Sequence, residues 1–198
     1  MKPYYEEGGI TIYHGDCRVL LESIHVADLV ATDPPYGILD NGGKWGRKRE
    51  LEWDRLPAGN ITQILRAGRQ HVIWGGNYFA LPPSRGWLVW VKPDRVPSAA
   101  DVELAWTSLD MNSRMFTHSI AATNAERCGH PTQKPLHVMM WSLSFFPDAK
   151  TILDPFMGSG TTLLAAKKWG CTAIGIEREE KYCEIAAKRL AQGVLEFA

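Results

Sequence analysis

Asp154-Pro155-Phe156-Met157-Gly158-Ser159-Gly160-Thr161-Thr162 is the stretch from which the fold of this 198-residue chain is read. The apolar run at 151–153 enters an acid, then a Gly-x-Gly turn. A helix-forming run at 161–169 follows, with Gly170 just past its end. Glycines permit the sharp turn and let backbone approach a ligand closely. Alone, Gly-x-Gly is as easily a packed turn as a binding loop. No Gly-Lys-Ser/Thr follows, which argues against a phosphate-gripping loop. The next strand, predicted at 172–176, ends at Glu177, about 20 residues on, where a dinucleotide-type fold places an acceptor for ribose hydroxyls.

Working outward, the same alternation repeats. Strands are predicted at 9–14, 28–32, 70–74, 86–91 and 102–106, and helices near 19–24, 61–67 and 135–145. A C-terminal helix carries Tyr182, Ile185, Ala186 and Leu190 at helical spacing. That makes seven strands with crossover helices in a single domain over 1–198, an α/β sheet with helices on both faces. There is no internal repeat and no low-complexity tract.

Three further segments carry chemistry. Asp33-Pro34-Pro35-Tyr36-Gly37 directly follows the apolar strand 28–32. Two prolines fix φ and remove two N–H donors. An acid, free carbonyls and an aromatic ring at a strand end suit a planar amine: the Asp33 carboxylate and Pro34 carbonyl accept its N–H groups, and Tyr36 stacks on the ring. An isolated D-P-P is also simply a turn. Asp16-Cys17, at the end of strand 9–14, offers an acid that is equally an acceptor for an adenine amino group or a helix cap. His130-Pro131-Thr132-Gln133-Lys134-Pro135 leads into a helix, and by composition is a polar loop with a Pro-initiated helix.

Composition excludes several classes. No apolar run is long enough to span a membrane, and Met1–Ile10 lacks a signal-peptide pattern. Cys17, Cys128, Cys171 and Cys183 are widely spaced and read as reduced thiols, not a zinc site, so a cytoplasmic chain without metal is expected. Net charge is zero, so no overall basic excess of the kind that meets nucleic-acid phosphates marks the chain. The charge is uneven, however: Lys44, Arg47, Lys48 and Arg49 run without an intervening acid, with Trp45 and Trp53 nearby. This run is read as contacting phosphate, against the plainer reading of a solvated loop.

Taken together, these segments resemble the DNA amino-methyltransferases that act on adenine N6 or cytosine N4. Asp33 to Tyr36 is similar to that family's D/N/S-P-P-Y/F/W motif, Asp154 to Thr162 to its D-P-F-x-G-S-G-T-T motif, and His130 to Pro135 to its H-P-T-Q-K-P segment. The base motif precedes the cofactor motif, as in the circularly permuted β-type order. The resemblance spans about 9–190. It implies a Rossmann-like, class I S-adenosylmethionine-dependent methyltransferase fold. Its seven-stranded, mostly parallel sheet is ordered 3-2-1-4-5-7-6, with strand 7 antiparallel, so that the Asp154 and Asp33 strands are neighbours.

The roles implied are these. Pro155, Phe156, Gly158, Ser159 and Gly160 shape the pocket for S-adenosyl-L-methionine below Asp154. Glu177 takes the ribose hydroxyls, and Asp16, with Cys17 beside it, meets the cofactor's adenine. Thr161, Thr162 and Lys134 lie against the methionine end, and Asp33 is expected to contact the cofactor as well. Asp33, Pro34, Pro35 and Tyr36 hold a flipped base, expected to be adenine because Asp leads the motif; cytosine N4 is the alternative, and an RNA acceptor a more distant one. Segments 37–69 and 108–129 are expected to contact DNA. Both are short, so recognition is expected to be brief or relaxed, or aided by a second subunit in a homodimer.

Overall fold

The computed structural model describes residues 2–36, 60–94, 100–125, 127–129 and 132–192. One sheet organises them. Its strands in chain order are β1 Tyr5–Glu7, β2 Ile10–His14, β3 Ala27–Thr32, β4 Gly68–Trp74, β5 Trp87–Val91, β6 Val102–Thr107, β7 Arg114–Thr117, β8 Thr151–Asp154 and β9 Thr172–Glu177. Their spatial order is β1-β2-β9-β8-β3-β4-β6-β5-β7. The helices are α1 Cys17–Leu20, α2 Asn60–Arg66, α3 Ile120–Ala125, α4 Leu136–Leu143, α5 Thr161–Lys168 and α6 Glu180–Ala191.

The expected seven strands are the inner seven, and β8 lies beside β3 with Leu29 opposite Ile152 and Val30 opposite Leu153. The count and the polarity need correction: the described residues form nine strands, not seven, and two of these run against the rest, β1 as well as β6. β1 escapes a pattern reading because it is three residues long and carries two glutamates. The positive-φ pair Gly8 (56°) and Gly9 (78°) makes its tight turn onto β2. β7 lies inside the segment read as an insert. It is an edge strand with little buried surface, Met115 being 74% exposed, and its place comes from parallel pairing with β5. α3 follows it, so much of 108–129 joins the fold.

Strand alternation sorts the core into two layers. Leu29, Ala31, Val72 and Trp74 face α4, α5 and α6 through Val138, Met139, Leu163, Ala186 and Leu190. Val30, Ile73, Leu153 and Ile176 face the opposite side, toward Cys17, Ile61 and Ile64 of α1 and α2. Next to β8 the chain continues to β9 on one side, and next to β3 to β4 on the other. Strand order therefore reverses between β8 and β3, and a crevice opens at their carboxyl ends.

Candidate active site

The carboxyl ends of β2, β9, β8 and β3 open into one cavity, lined by Asp16, Glu177, Asp154 and Asp33, one acid from each strand end. Each acid is held differently, and the holding follows from local chain geometry.

Asp154 ends β8. Its Oδ1 accepts from Thr32 Oγ1 at 2.8 Å and from the Phe156 amide at 3.0 Å. Burial pushes its carboxyl up to about 6, against the opposing pull of the Thr162, Thr32 and Phe156 hydrogen bonds. Below it Gly158 and Gly160 take positive φ, 51° and 79°. Gly160 opens α5, and a Cβ there would stand 2.8 Å from the Ala186 Cβ of α6. Its smallness serves helix packing, and among the described residues it does not line the cavity.

Glu177 ends β9. The Gly158 amide donates to Oε2 at 3.0 Å and the Glu179 amide to Oε1 at 2.8 Å. Burial raises its carboxyl, partly offset by these backbone donors. Asp16 follows β2 and is a helix cap: it accepts from the Arg18 amide at 2.9 Å and pairs with the Arg18 guanidinium, which holds it below the usual carboxylate range. It also lines the cavity, so the two readings of Asp16 coexist in one side chain. Cys17 lines the cavity beside it, with a thiol pushed up to about 12 by burial, which removes it as a nucleophile at neutral pH.

The 132–135 segment braces the glycine turn from the opposite wall. Ser159 Oγ donates to Gln133 Oε1 at 3.1 Å, and Arg189 of α6 donates to the Ser159 carbonyl at 2.6 Å. Thr161 and Thr162 line the cavity at the start of α5, with Pro155, Phe156 and Ser159.

The Asp33 end is built of side chains. Lys134 Nζ donates to Asp33 Oδ2 at 2.5 Å and pairs with Glu103 Oε2 at 2.9 Å; the Tyr36 hydroxyl donates to Asp33 Oδ1. Burial raises the Asp33 carboxyl despite Lys134. Burial would lower Lys134, but Asp33 and Glu103 outweigh it and keep the ammonium charged. Tyr36 stacks on Tyr78 (centroids 4.9 Å apart, planes at 23°) and meets Phe79 edge-on at 6.3 Å. One face of the ring expected to stack on a base is thus already covered. A side chain at Gly75 (φ 65°) would overlap the Tyr36 ring, so this glycine is the floor on which the ring lies. Among the described residues Pro35 lines the cavity, while Pro34 is buried and Tyr36 stands beside it.

Residues 130–131 and the basic run Lys44, Arg47, Lys48 and Arg49 lie outside the described residues. Sequence reasoning missed Tyr182, Arg178 and Glu179, which line the cavity next to Glu177 and could have been found from their adjacency to it. Glu103, Tyr78 and Gly75 had no such signal. Among the described residues no cluster of three or more His, Cys, Asp or Glu is arranged to hold a metal, and no helix is long and apolar enough to cross a membrane.

An open α/β sheet with acids on neighbouring strand tips and a glycine turn between them defines a protein built to take a nucleoside-like ligand at the switch point. Residues 89–188 match the DNA methylase family model, and the chain belongs to that family of DNA amino-methyltransferases; it is a DNA methyltransferase. It is 27% identical to the type II methyltransferase M.ScaI of Streptomyces caespitosus, over 96% of this chain and 84% of that protein. It is 48% identical over 66 residues to the type II methyltransferase M.HinfI of Haemophilus influenzae, 32% of this chain and 18% of that one. The crystal structure of the M1.HpyAVI–SAM complex superimposes with a TM-score of 0.63 at 27% identity, covering 91% of this chain and 99% of the other. The PvuII cytosine-N4-specific DNA methyltransferase shares the fold, with a TM-score of 0.63 at 18% identity.

Proposed function

We propose that this chain transfers a methyl group from S-adenosyl-L-methionine to the N6 amino group of adenine in DNA. The observation that carries it is the adjacency of Asp33, at the tip of β3, to the cavity floored by the glycine turn after β8. A base amine held by Asp33 and a methyl donor held by the turn then meet at one strand boundary.

The residues fit that donor. Carboxylates of the cavity wall (Asp16, Asp33, Asp154, Glu177, Glu179) outnumber its cations (Arg18, Lys134, Arg178), which suits a cationic ligand. Glu177 keeps acceptor capacity beyond its two backbone donors for ribose hydroxyls. Phe156 and the start of α1 flank the adenine end, and Ser159, Thr161 and Thr162 the methionine end. When bound, the cofactor supplies an electrophilic methyl group on a sulfonium.

The chain's own residues do the rest. Extruding the base costs a few kcal/mol; the Tyr36–Tyr78 pair forms an aromatic wall for it. The Asp33 carboxylate and Pro34 carbonyl accept from the amino group and draw its lone pair out of the ring. Held in this way, the amino nitrogen would take up the methyl group and give up one proton in exchange. Asp33, whose carboxyl is raised by burial, is placed to accept it. Positioning and electrostatics supply the rate. Residues 37–69, with their basic run, and exposed parts of 108–129 contact the DNA.

Mass spectrometry of nucleosides from DNA treated with the protein and cofactor tests this reading. N6-methyldeoxyadenosine is the expected product. N4-methyldeoxycytidine would replace adenine by cytosine, and methyl transfer to RNA or protein but not DNA would overturn the proposal.

A further inference from the structure

β6 runs antiparallel between β4 and β5, and Glu103 is its second residue, opposite Trp90 of β5. Nothing in a strand requires a carboxylate there, and burying one is costly unless it is paired. Here it is paired twice. Lys92, just past β5, holds Glu103 Oε1, and Lys134 stands 2.9 Å from Oε2. Lys134 in turn donates to Asp33 Oδ2 at 2.5 Å. The result is a chain of four charges of alternating sign, Lys92–Glu103–Lys134–Asp33, ending on the carboxylate that receives the amine. Both lysine side chains are only 9% exposed. The Lys134 ammonium is boxed further by Trp74 and Tyr36, whose ring centroids lie 5.7 and 6.0 Å away.

We infer that Glu103 is a positioning residue for methyl transfer: by sharing the Lys134 ammonium with Asp33, it limits how tightly Lys134 grips the acceptor carboxylate. The inference rests on the reading of Asp33 given above. An ammonium has three donors and no geometric preference between two carboxylates. Tethered from the β6 side, it takes one oxygen of Asp33 and leaves acceptor capacity for the incoming amine. With Glu103 neutralised, the whole charge falls on Asp33, whose oxygens become weaker acceptors and a poorer sink for the proton. Lys92 sits at the other end of the balance. Without it, Glu103 draws Lys134 more strongly and Asp33 is held less.

This gives opposite signs for two substitutions in one network, a result that general damage to the site does not produce. The groups facing Asp33 are Tyr36 from its own loop, Lys134 ahead of α4, Glu103 from β6 and Asp154 from β8. Methylation requires ionised Asp33, so activity falls on the acid side as Asp33 takes up a proton. Glu103→Gln moves that acid limb to lower pH, because it removes a negative neighbour and strengthens the pull of Lys134. Lys92→Met moves it to higher pH.

The test is single-turnover methylation of unmethylated genomic DNA with tritiated cofactor across pH 5 to 9, on the full chain. Glu103→Gln is expected to lower kcat by about 10- to 100-fold, with KM for the cofactor unchanged within roughly threefold. Acid limbs that stay at the wild-type position, or that move in the same direction in both variants, overturn the inference. So does a Glu103→Gln loss expressed wholly in KM. Should Glu103→Gln fail to fold, the limb of Lys92→Met decides alone: upward supports the inference, unmoved or downward sinks it. A wild-type protein that labels no DNA sinks the proposed function instead.

Discussion

The two halves of the site are built from different material. In the cofactor half, every acid is held in part by backbone, beside the side chains of Arg18, Thr32 and Thr162. Asp16 accepts from the Arg18 amide, Glu177 from the amides of Gly158 and Glu179, and Asp154 from that of Phe156. In the base half, side chains do it: Asp33 is held by Lys134 and the Tyr36 hydroxyl, and Lys134 by Glu103. Backbone donors are set by the turn itself and do not vary with neighbouring side chains. Side-chain donors must be packed and charged correctly by elements far away in sequence. The cofactor half should therefore tolerate substitutions that the base half does not.

The sharpest way to break this comparison is Asp33→Ala. It is expected to reduce single-turnover methylation by roughly 10³-fold or more, while cofactor affinity, read by calorimetry, stays within a few-fold of wild type. Methylation at the wild-type rate would remove Asp33 from the mechanism. Gly75→Ala comes next. The added methyl displaces the Tyr36 ring, and kcat/KM for DNA is expected to drop about 10²-fold with cofactor binding retained. Unchanged DNA kinetics would show that the ring needs no floor.

In the cofactor half the effects are smaller. Glu177→Gln is expected to weaken cofactor binding by about 10-fold, from the loss of charge-assisted hydrogen bonds, with kcat at saturating cofactor largely preserved. A variant that binds normally but turns over slowly would place Glu177 in the chemistry instead.

The smallest effect concerns Asp154. Its carboxyl is raised to about 6, so the folded protein holds a proton there that the unfolded chain releases near pH 4. Its contribution to stability is greatest below that lower value and is lost as pH rises through about 6. A cationic ligand favours the ionised form, so cofactor affinity should weaken severalfold as pH falls below about 6, with proton release on binding near that pH. Titration calorimetry in two buffers reads this directly. Asp154→Asn should abolish the pH dependence, and its persistence in that variant would assign it elsewhere.

The same division explains what could be read in advance. Gly158, Gly160 and Glu177 are legible because a strand, a glycine turn and a helix are local patterns, and their hydrogen bonds join residues two to about twenty apart. Asp33 is legible because two prolines and an aromatic mark its turn. β1 and β7 were not, since a three-residue strand and an exposed edge strand bury too little to leave a periodic pattern. Tyr78 and Gly75 were not, because a tyrosine or a Gly-Gly turn is common after any strand. That Tyr78 stacks on one face of the Tyr36 ring had no mark in the sequence either.

What the chain's order of residues determined by itself is the set of strand tips: which acids end which strands, and that a glycine turn follows one of them. That information is carried by neighbours along the backbone, where sterics and hydrogen bonding act over a few residues. The pairing of β8 with β3 puts Asp154 and Asp33 in one crevice, as the resemblance implied, but only the tertiary structure decided that Lys134 stands between Asp33 and Glu103. Coulomb attraction reads distance in space, and buried charges find their partners wherever the sheet brings them.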